Sequence, residues 1–263
     1  MRVATFNVNS INARLSFLLE WLAARAPDVV CLQELKLTND AFPYEALSGA
    51  GYHAFVHGQK SWNGVAVLSR EPGELITAGL PGAESAGARF VTAKIGALAV
   101  SSVYVPNGKD VTHADYELKL AFLASLGAHM RTLVDAGAGV VLGGDFNVAH
   151  GDLDTHAPAA LAGAIFHTDA ERRALDALFA CGLFDLYRAL NPEGRAYSWW
   201  DYRAGGFHKN HGLRIDFLVG DRTVREAARE VFTDREFRKK RGELTPSDHA
   251  PVIAELAFDA PSA

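Results

Sequence analysis

The chain has 263 residues, of which 49% are hydrophobic, so it can bury a large core as one domain or as two small ones. Its formal net charge of −5 at pH 7 excludes a protein that binds polyanions through bulk positive charge, although a local basic surface remains compatible with nucleic acid. No apolar stretch is long enough to cross a bilayer, and "MRVATFNVNS" alternates like a strand without an apolar signal core.

Two cysteines, Cys31 and Cys181, lie in the apolar segments "VVCLQ" and "LFACGLF". Both are interpreted as reduced core residues, since a free cysteine is among the most often buried side chains. Reduced cysteines favour a cytosolic compartment over an oxidising one. We therefore expect a soluble cytoplasmic protein.

The first part of the chain alternates short apolar runs with polar turns. Residues 3–8 alternate like a strand, and "NARLSFLLEWLAARA" then places leucines at helical spacing behind an N-cap at Ser10 or Asn12. Pro27 ends this helix, and residues 28–33 form a short buried strand. Four more apolar runs, separated by Gly, Pro and Asn, predict strands: "YHAFVHG", "NGVAVLSR", "ARFVTAKI" and "LAVSSVYVP".

The second part contains the longest predicted helix, "HADYELKLAFLASLGAHMRTLV", followed by the strand "VVLGGDFN" and an Ala/Gly/Pro-rich loop. A second helix, "DAERRALDALFACG", precedes a polar and aromatic stretch, the strand "LRIDFLVG" and the closing segment "PSDHAPVIAELAF". Many strands with few helices and short turns predict mixed sheets packed together with helices outside. No repeat or linker divides the chain, so we expect one domain over residues 1–263.

Several predicted strands end in acid, amide, phenol or imidazole side chains. These are Asn7, Asn9, Glu34, Tyr104, Asn107, Asp145, Asn147, Asp216, Asp248 and His249. A single Asn or Asp at such a position is more often a turn or helix cap. If the strand ends converge, however, they offer hard oxygen ligands for Mg²⁺ or Mn²⁺, while no Cys or His spacing suits zinc. A metal, a phosphate cradle rich in amides and an Asp-oriented His together indicate phosphodiester hydrolysis.

Two of these carboxylates have alternative structural explanations. Glu34 ends an apolar run, and a buried unpaired carboxylate is costly, but Glu34 can instead turn into solvent or pair with Lys36. Asp216 lies within an apolar run, and a salt bridge with Arg214, two positions earlier on the same strand face, explains it equally well. Neither "GxxxxGK[ST]" nor "GxSxG" occurs, so a nucleotide loop and a serine nucleophile are unsupported.

Nine blocks follow one another in order: "TFNVNSINAR", "PDVVCLQELK", "GQKSWNGVAVLSR", "VYVPNG", "YELKLAFLASL", "LGGDFNVA", "SWWDYR", "GLRIDFLV" and "PSDHAPV". With these blocks the chain resembles the exonuclease III family of DNA-repair nucleases and abasic-site endonucleases over nearly its whole length. The resemblance implies a four-layer α-β-β-α sandwich like that of deoxyribonuclease I, with two mixed sheets between helices. It also implies Mg²⁺-dependent cleavage of double-stranded DNA, with Mn²⁺ as a substitute, by 3′–5′ exonuclease, 3′-end cleaning or abasic-site endonuclease activity.

The resemblance further implies roles for individual residues. The metal ligands it implies are Glu34, Asn7 and Asp248. The catalytic residues it implies are Tyr104, Asp145, Asn147, Asp216 and His249. Among these, Asp216 and His249 orient the scissile phosphate, and Asp145 activates water or assists the leaving oxygen. The substrate contacts it implies are Asn9, Lys36, Asn107, Trp199, Leu213 and Ile215, the last three near a pocket for a flipped abasic sugar. Whether Tyr, Asp or His is the base stays open.

Contact with DNA requires a local basic surface. The candidates are "REFRKKRGE" and "RAGGFHKNHGLR", with Lys36, Lys60 and Arg89 nearby, and the alternative for such a run is a solvated loop. Four aromatic residues are candidates for wedging into or stacking on a distorted strand: Tyr197, Trp199, Trp200 and Tyr202. We expect at least one of the two tryptophans to pack in the core instead. Gly143 and Gly144 are expected to let a phosphate approach the backbone closely.

One loop departs from the family pattern. The segment "THAPAALAGAIFHTDAE" is Ala-rich where better-known members carry bulkier, more charged residues, and it contains Phe166 and His167. If Phe166 narrows the lesion pocket, abasic-site cleavage weakens while 3′-end trimming persists. A site without its base has lost stacking and pairing, so its extrusion from the duplex is cheap, and this is one source of selectivity.

Two other functions compete with the nuclease. One is a phosphatase or phospholipase of the same superfamily acting on inositol phosphates or sphingolipids, which needs a lipid- or inositol-facing insertion that the sequence lacks. The other is a catalytically silent module that binds DNA or a protein, and the competent residue at every catalytic position argues against it. We expect a monomer that binds duplex DNA with abasic sites or blocked or recessed 3′ ends and no membrane, and that is associated with the nucleoid during DNA cleavage.

Overall fold

The structure is a computed structural model and describes residues 1–258. The strands are β1 (Arg2–Asn7), β2 (Val29–Gln33), β3 (His53–His57), β4 (Val65–Ser69), β5 (Gly73–Ala78), β6 (Phe90–Ile95), β7 (Leu98–Tyr104), β8 (Gly139–Asp145), β9 (Phe184–Asp185), β10 (Asp216–Gly220), β11 (Ala228–Thr233) and β12 (Val252–Leu256). The helices are α1 (Ile11–Arg25), α2 (Tyr44–Gly49), α3 (Ala114–Asp135), α4 (Pro158–Leu161), α5 (Asp169–Phe179), α6 (Leu186–Leu190), α7 (Gly206–Lys209) and α8 (Arg222–Ala227). No helix in this part of the chain is long and apolar enough to span a membrane.

The strands form two six-stranded mixed sheets. The first has the order β11-β12-β1-β2-β4-β3, and the second has the order β5-β6-β7-β8-β10-β9. Each sheet has one parallel pair at its centre, β1 with β2 and β7 with β8, and the remaining pairs are antiparallel. The two parallel pairs are connected by the long helices α1 and α3, because a parallel connection needs a crossover.

Three apolar clusters show how the layers stack. Val29 and Val67 of the first sheet and Val100 and Val141 of the second belong to one cluster between the sheets. The outer face of the first sheet packs on α1, and the outer face of the second packs on α3 and α5. The sequence prediction of a four-layer α-β-β-α sandwich is confirmed.

The sheet register brings strand ends together at one edge. Asp145, the last residue of β8, lies directly opposite Asp216, the first residue of β10, and beside Tyr104 at the end of β7. In the other sheet, Asn7 at the end of β1 pairs with Gln33 at the end of β2, immediately before Glu34. Ends of strands from both sheets therefore meet on the same side of the sandwich.

Most predicted elements agree with the structure, and the differences have local causes. The strand β5 was not predicted because nearly all its residues are exposed, which removes the apolar signal. Helix α1 begins at Ile11, so Asn12 lies inside the helix and not at its N-cap. Ser10 occupies the cap position with a φ of 85° and makes no side-chain capping bond. The cysteines Cys31 and Cys181 are buried and free, as predicted.

The two glycines of β8 have a packing role. A Cβ on Gly144 would lie 2.1 Å from the carbonyl oxygen of Val103, and one on Gly143 would lie 2.9 Å from the Cys31 sulfur. Both glycines thus permit close approach of neighbouring backbone and of the facing sheet. The prediction that they admit a phosphate is wrong, because their space is filled by the protein itself.

A buried charge network fixes the loop that follows β8. Asp154 is 2% exposed and accepts hydrogen bonds from Arg214 Nε at 2.8 Å and Arg188 Nη2 at 2.6 Å. Arg214 also lies 2.8 Å from Asp185 Oδ2. The alternative explanation that pairs Arg214 with Asp216 is therefore wrong: β10 begins at Asp216, so the two-residue period of a strand does not apply to Arg214.

We expect Asp154→Asn to lower the free energy of unfolding by about 3 kcal/mol at pH 7, because it leaves the buried guanidinium of Arg214 and the partly exposed one of Arg188 poorly compensated. Although burial opposes the charged form, Arg214 and Arg188 lower the pKa of Asp154 below its usual value. A lowered pKa stabilises the fold above the unfolded value of about 4, and this contribution disappears as the pH falls through the folded value. Urea unfolding at pH 7 and pH 3 measures the difference, with the exposed Asp152→Asn as control.

Candidate active site

The side chain of Asn7 connects carboxylates from the two sheets. Its Nδ2 donates to Glu34 Oε1 at 2.8 Å and to Asp145 Oδ2 at 2.9 Å, while its Oδ1 accepts from the backbone N–H of Asn9. Lys36 Nζ lies 2.9 Å from Glu34 Oε2, so Glu34 also forms the ion pair with Lys36 that the sequence offered as an alternative explanation. Asn7 thus orients both acids through its N–H groups.

The loop after β2 adopts a strained backbone to present Glu34. Glu34 and Lys36 have φ values of 54° and 60°, in the left-handed region that non-glycine residues seldom occupy. Hydrogen bonds from Leu35 N–H to Gly64 and from Lys36 N–H to Asn63 hold this conformation. Such strain is typical of functional sites, where the surrounding structure determines the conformation.

His249 lies between two aspartates. Its Nδ1 is 2.8 Å from Asp216 Oδ2, and its Nε2 is 3.7 Å from Asp145 Oδ2. All three residues are at most 3% exposed. Burial opposes the imidazolium, but Asp216 and Asp145 outweigh it and raise the pKa of His249 to about 10. At neutral pH both ring nitrogens of His249 therefore carry protons.

Asp145 is a buried acid whose negative charge is disfavoured by its surroundings. Burial, and then the negative charges of Asp216 and Glu34, raise its pKa to about 7, although the His249 cation acts in the other direction. The N–H of Asn147 donates to Asp145 Oδ1 at 2.9 Å. Asp145 consequently changes its protonation state near neutral pH, which is the range that suits an acid–base group.

Amide and phenol groups surround these acids. Asn147, with a φ of 52°, donates from Nδ2 to the carbonyl of Val105, and Asn107 Nδ2 lies 3.4 Å from Asn147 Oδ1. Burial together with the charges of Glu34 and Asp145 raises the pKa of Tyr104 well above its usual value. Tyr104 therefore keeps its proton and is a hydrogen-bond donor, and Arg89 stacks on its ring at 4.7 Å.

Asp248 belongs to a neighbouring set of contacts. Its Oδ1 accepts from Asn9 Nδ2 at 2.9 Å and its Oδ2 accepts from Trp199 Nε1 at 3.0 Å. Asn9 Oδ1 in turn accepts from Lys36 at 2.6 Å, which joins this set to Glu34. Both carboxylate oxygens of Asp248 are thus used to fix Asn9 and Trp199 beside the acids.

The donors present suit a hard divalent cation. Ligand atoms of Glu34, Asp145 and His249 lie within 4.8 Å of one another. The Nδ1 of His249 is already engaged by Asp216, so the two carboxylates are the hard oxygen donors of this group. A cation beside them would also relieve the charge repulsion that raises the pKa of Asp145. A few carboxylates completed by substrate phosphate is the usual way in which Mg²⁺ binds.

Comparison with known proteins places this arrangement in a family. Residues 4–249 match the endonuclease/exonuclease/phosphatase family. The chain is 34% identical over 269 residues to exodeoxyribonuclease III from Haemophilus influenzae, an alignment that covers 97% of this chain and 100% of the relative. The chain belongs to this family. The predicted exonuclease III relationship and the predicted DNA-cleaving hydrolase are confirmed.

Solved structures give the same relationship. The structure of the 3′ phosphatase NExo from Neisseria, bound to product DNA hairpin, has a TM-score of 0.94 and 36% identity, covering 98% of this chain and all of the neighbour. The AP endonuclease from Archaeoglobus fulgidus has a TM-score of 0.93 and 33% identity, with the same coverage. Both share the whole architecture of this nuclease.

A cavity of about 400 Å³ adjoins the site of this nuclease through Trp199, which donates to Asp248. It is lined by Trp199 and Leu213, by the stacked rings of His156 and His211, and by Phe166 of the Ala-rich loop. Ile215 is only 1% exposed and belongs to the core, and its carbonyl accepts the N–H of Phe146. Trp200 is fully buried, so core packing does claim one of the two tryptophans, as expected.

The basic runs divide into structural and exposed parts. Arg238 is 6% exposed and donates to the carbonyls of Asp248 and Trp200, so it braces the turn that carries His249. Lys239 pairs with Glu236, which supports the solvated-loop explanation for that part of the run. Arg203 and Lys209 are exposed and line the cavity.

Two groups near the site were missed from the sequence. Trp62 is 70% exposed on a turn whose neighbour, Asn63, accepts the N–H of Lys36. An aromatic residue in the polar turn "KSWNG" was the available signal. Lys119 is fully buried behind Asn147, and its position on the apolar stripe of the predicted helix was the signal there.

We expect the affinity for a divalent cation to rise with pH, because protons and metal compete for Asp145. The association constant should rise by up to about tenfold per pH unit below 7 and level off above 8, as a single competing proton requires. Calorimetric titration of the chain with Mn²⁺ at pH 6, 7 and 8 measures this. Asp145→Asn should lose the pH dependence and Asp152→Asn should keep it; an unchanged dependence in Asp145→Asn would contradict the assignment.

Proposed function

We propose that the chain is a Mg²⁺-dependent DNA-repair nuclease, with Mn²⁺ as a substitute, that hydrolyses phosphodiester bonds at 3′ ends and abasic sites of duplex DNA. The observation that carries this proposal is the position of Asp145. It lies between Glu34, to which Asn7 connects it, and the His249–Asp216 pair. Metal-binding and proton-transfer chemistry thus share one carboxylate-rich edge.

Three groups have distinct parts in hydrolysis. His249, held by Asp216 and positively charged, offers its Nε2–H to a phosphate oxygen and balances the negative charge that develops there. Tyr104 and Asn147 orient the phosphate and water as neutral donors. Bound Mg²⁺ would supply polarisation of the phosphate and neutralisation of the leaving oxygen, with Glu34 as its principal protein ligand.

Asp145 is the group best suited to move the proton. Tyr104 keeps its proton because its pKa lies well above the usual value, and His249 keeps its own because its pKa is about 10. Asp145, with a pKa of about 7, is able to accept a proton from water and to return it to the leaving oxygen. Positioned acid–base catalysis of this kind contributes roughly 10²- to 10⁴-fold to a rate.

Processing of 3′ ends is the preferred activity. Phe166 has a φ of 71° and lines the cavity beside Trp199, so a large ring is held where a sugar flipped out of a continuous duplex must enter. A terminal nucleotide frays easily and demands less of this space than an internal abasic site. The similar 3′ phosphatase NExo, bound to a product DNA hairpin, supports 3′-end substrates, and the similar AP endonuclease from Archaeoglobus fulgidus supports the second activity.

Exposed groups around the site suit a duplex. Arg203, Lys209 and Lys60 supply cations for phosphate contacts that position DNA without reading sequence, and Trp62 supplies an aromatic surface. We further propose that the nuclease acts as a single-domain monomer in the cytoplasm, at the nucleoid. Phosphatase or phospholipase activity is less favoured, because the acids are flanked by an aromatic and basic surface rather than by a lipid-facing insertion.

We expect Glu34→Ala and Asp145→Asn each to lower kcat on a recessed 3′ end by about 10³-fold or more, because each removes a ligand or the proton acceptor. The dissociation constant for the same duplex should change only a few-fold. Single-turnover rates and fluorescence anisotropy measure the two effects. Glu45→Gln, on the exposed face of α2, is the control. Loss of DNA binding in both folded variants would contradict the assigned roles.

We expect the wild-type nuclease to trim a recessed 3′ end at least tenfold faster than it cleaves an internal abasic analogue, with Phe166→Ala narrowing the difference. A nicking assay on depurinated and intact plasmid, with Mg²⁺ or EDTA, measures the dependence on metal and lesion. Equal, efficient cleavage of both DNA substrates would refute the preference. Absence of any cleavage with Mg²⁺ would favour the silent module, and turnover of inositol phosphates alone would favour the phosphatase.

A further inference from the structure

An ion pair without any solvent exposure lies behind the catalytic cluster. Lys119 in α3 and Glu171 in the first turn of α5 are both 0% exposed, and Lys119 Nζ lies 2.5 Å from Glu171 Oε1. Replacing a buried pair by apolar side chains is often neutral or stabilising, so stability alone is a weak reason for such a pair. The contacts of the two side chains indicate another reason.

Lys119 donates hydrogen bonds to two residues of the site. Besides Glu171, it donates to the backbone carbonyl of Asn147 at 2.6 Å and to that of Asn107 at 3.3 Å. Asn147 has a left-handed backbone, with a φ of 52°, and its own N–H donates to Asp145. Lys119 therefore fixes the carbonyl of Asn147, and the N–H of the same residue, in the preceding peptide, orients Asp145.

Glu171 fixes the wall of the cavity. Its Oε1 accepts the N–H of Phe166 at 3.1 Å, and its Oε2 accepts the N–H and hydroxyl of Thr168 at 3.0 and 2.9 Å. Phe166 also has a left-handed backbone, and Lys119 Nζ lies 4.8 Å from the centre of its ring. Both strained residues, one catalytic and one at the cavity wall, are thus anchored to the same pair.

We propose that Lys119 and Glu171 form a positioning pair that holds the Asn147 amide and the Phe166 wall in one arrangement and so couples substrate fit to catalytic geometry. Both residues are buried, and Lys119 acts through Asn147 whereas Glu171 acts through Phe166. The proposal rests on the proposed nuclease function, and its consequence is specific. Loss of the pair impairs kcat more than the affinity for DNA, since small misplacements within an active site cost about 10²-fold in rate.

The first experiment separates positioning from stability. Lys119→Met should lower kcat on a recessed 3′ end by about 30- to 100-fold with KM changed less than about threefold. The double variant Lys119→Met with Glu171→Met should recover a Tm close to wild type, because the unpaired charge is gone, yet keep the low kcat. Met130→Ala, on the same buried face of α3 and outside the pair, should lower Tm without lowering kcat. A double variant with wild-type Tm and wild-type kcat overturns the proposal.

A double-mutant cycle with Asn147→Ala tests whether Lys119 acts through Asn147. In the Lys119→Met background, Asn147→Ala should cost much less kcat than in wild type, because the two changes remove one function. Independent, additive losses overturn the proposal.

A measurement independent of turnover keeps the two proposals distinguishable. Lys119→Met should accelerate hydrogen exchange of the amides of Asn147 and Phe166, while Met130→Ala should not do so selectively. Unchanged exchange at both amides overturns the positioning pair whatever the enzyme cleaves. Absence of Mg²⁺-dependent DNA cleavage by wild type refutes the proposed function instead.

Discussion

The hydrogen bonds from one amide group to two carboxylates are the contact on which the site depends. Asn7 Nδ2 donates to Glu34 of the first sheet's edge and to Asp145 of the second, so a single side chain joins the two halves of the sandwich where their strands end. Without this donor Glu34 and Asp145 would lose the one amide group that binds both carboxylates. The arrangement concentrates negative charge at this edge, as the proposed metal site requires, and Asn7 adds no charge of its own to it.

Charge balance around this contact sets the chemistry. Lys36 neutralises Glu34, and the His249 cation lies between Asp216 and Asp145. One acid remains insufficiently compensated, and it is the one whose pKa rises to about 7. The same electrostatic imbalance that makes Asp145 costly to bury therefore makes it able to bind a metal and to exchange a proton near neutral pH. Function and local instability have one physical origin here.

Strained backbone occurs at four residues in and beside the site. Glu34, Lys36, Asn147 and Phe166 all have positive φ values, and each is held by hydrogen bonds from a neighbouring loop or from the buried Lys119–Glu171 pair. The sheets fix where the site residues lie, and the loops fix how their side chains are oriented. Buried charges in the layers behind the site, including Arg238 beneath the His249 turn, keep those loops in place without contacting DNA.

The sequence by itself determined which residues end the strands, which faces are apolar and which family the chain joins, because these depend on local periodicity and on blocks of neighbouring residues. Only the tertiary structure decided which polar groups meet. Asn7 and Asp145 are 138 positions apart, and Arg214 binds Asp154 rather than its neighbour Asp216 because a strand begins between them. In the sequence, Lys119 is only a lysine on the apolar face of a predicted helix. Its two backbone carbonyl partners are defined only by the packing of α3 on the second sheet. Periodicity specifies the face of an element, whereas the partner across that face depends on packing between segments distant in the chain.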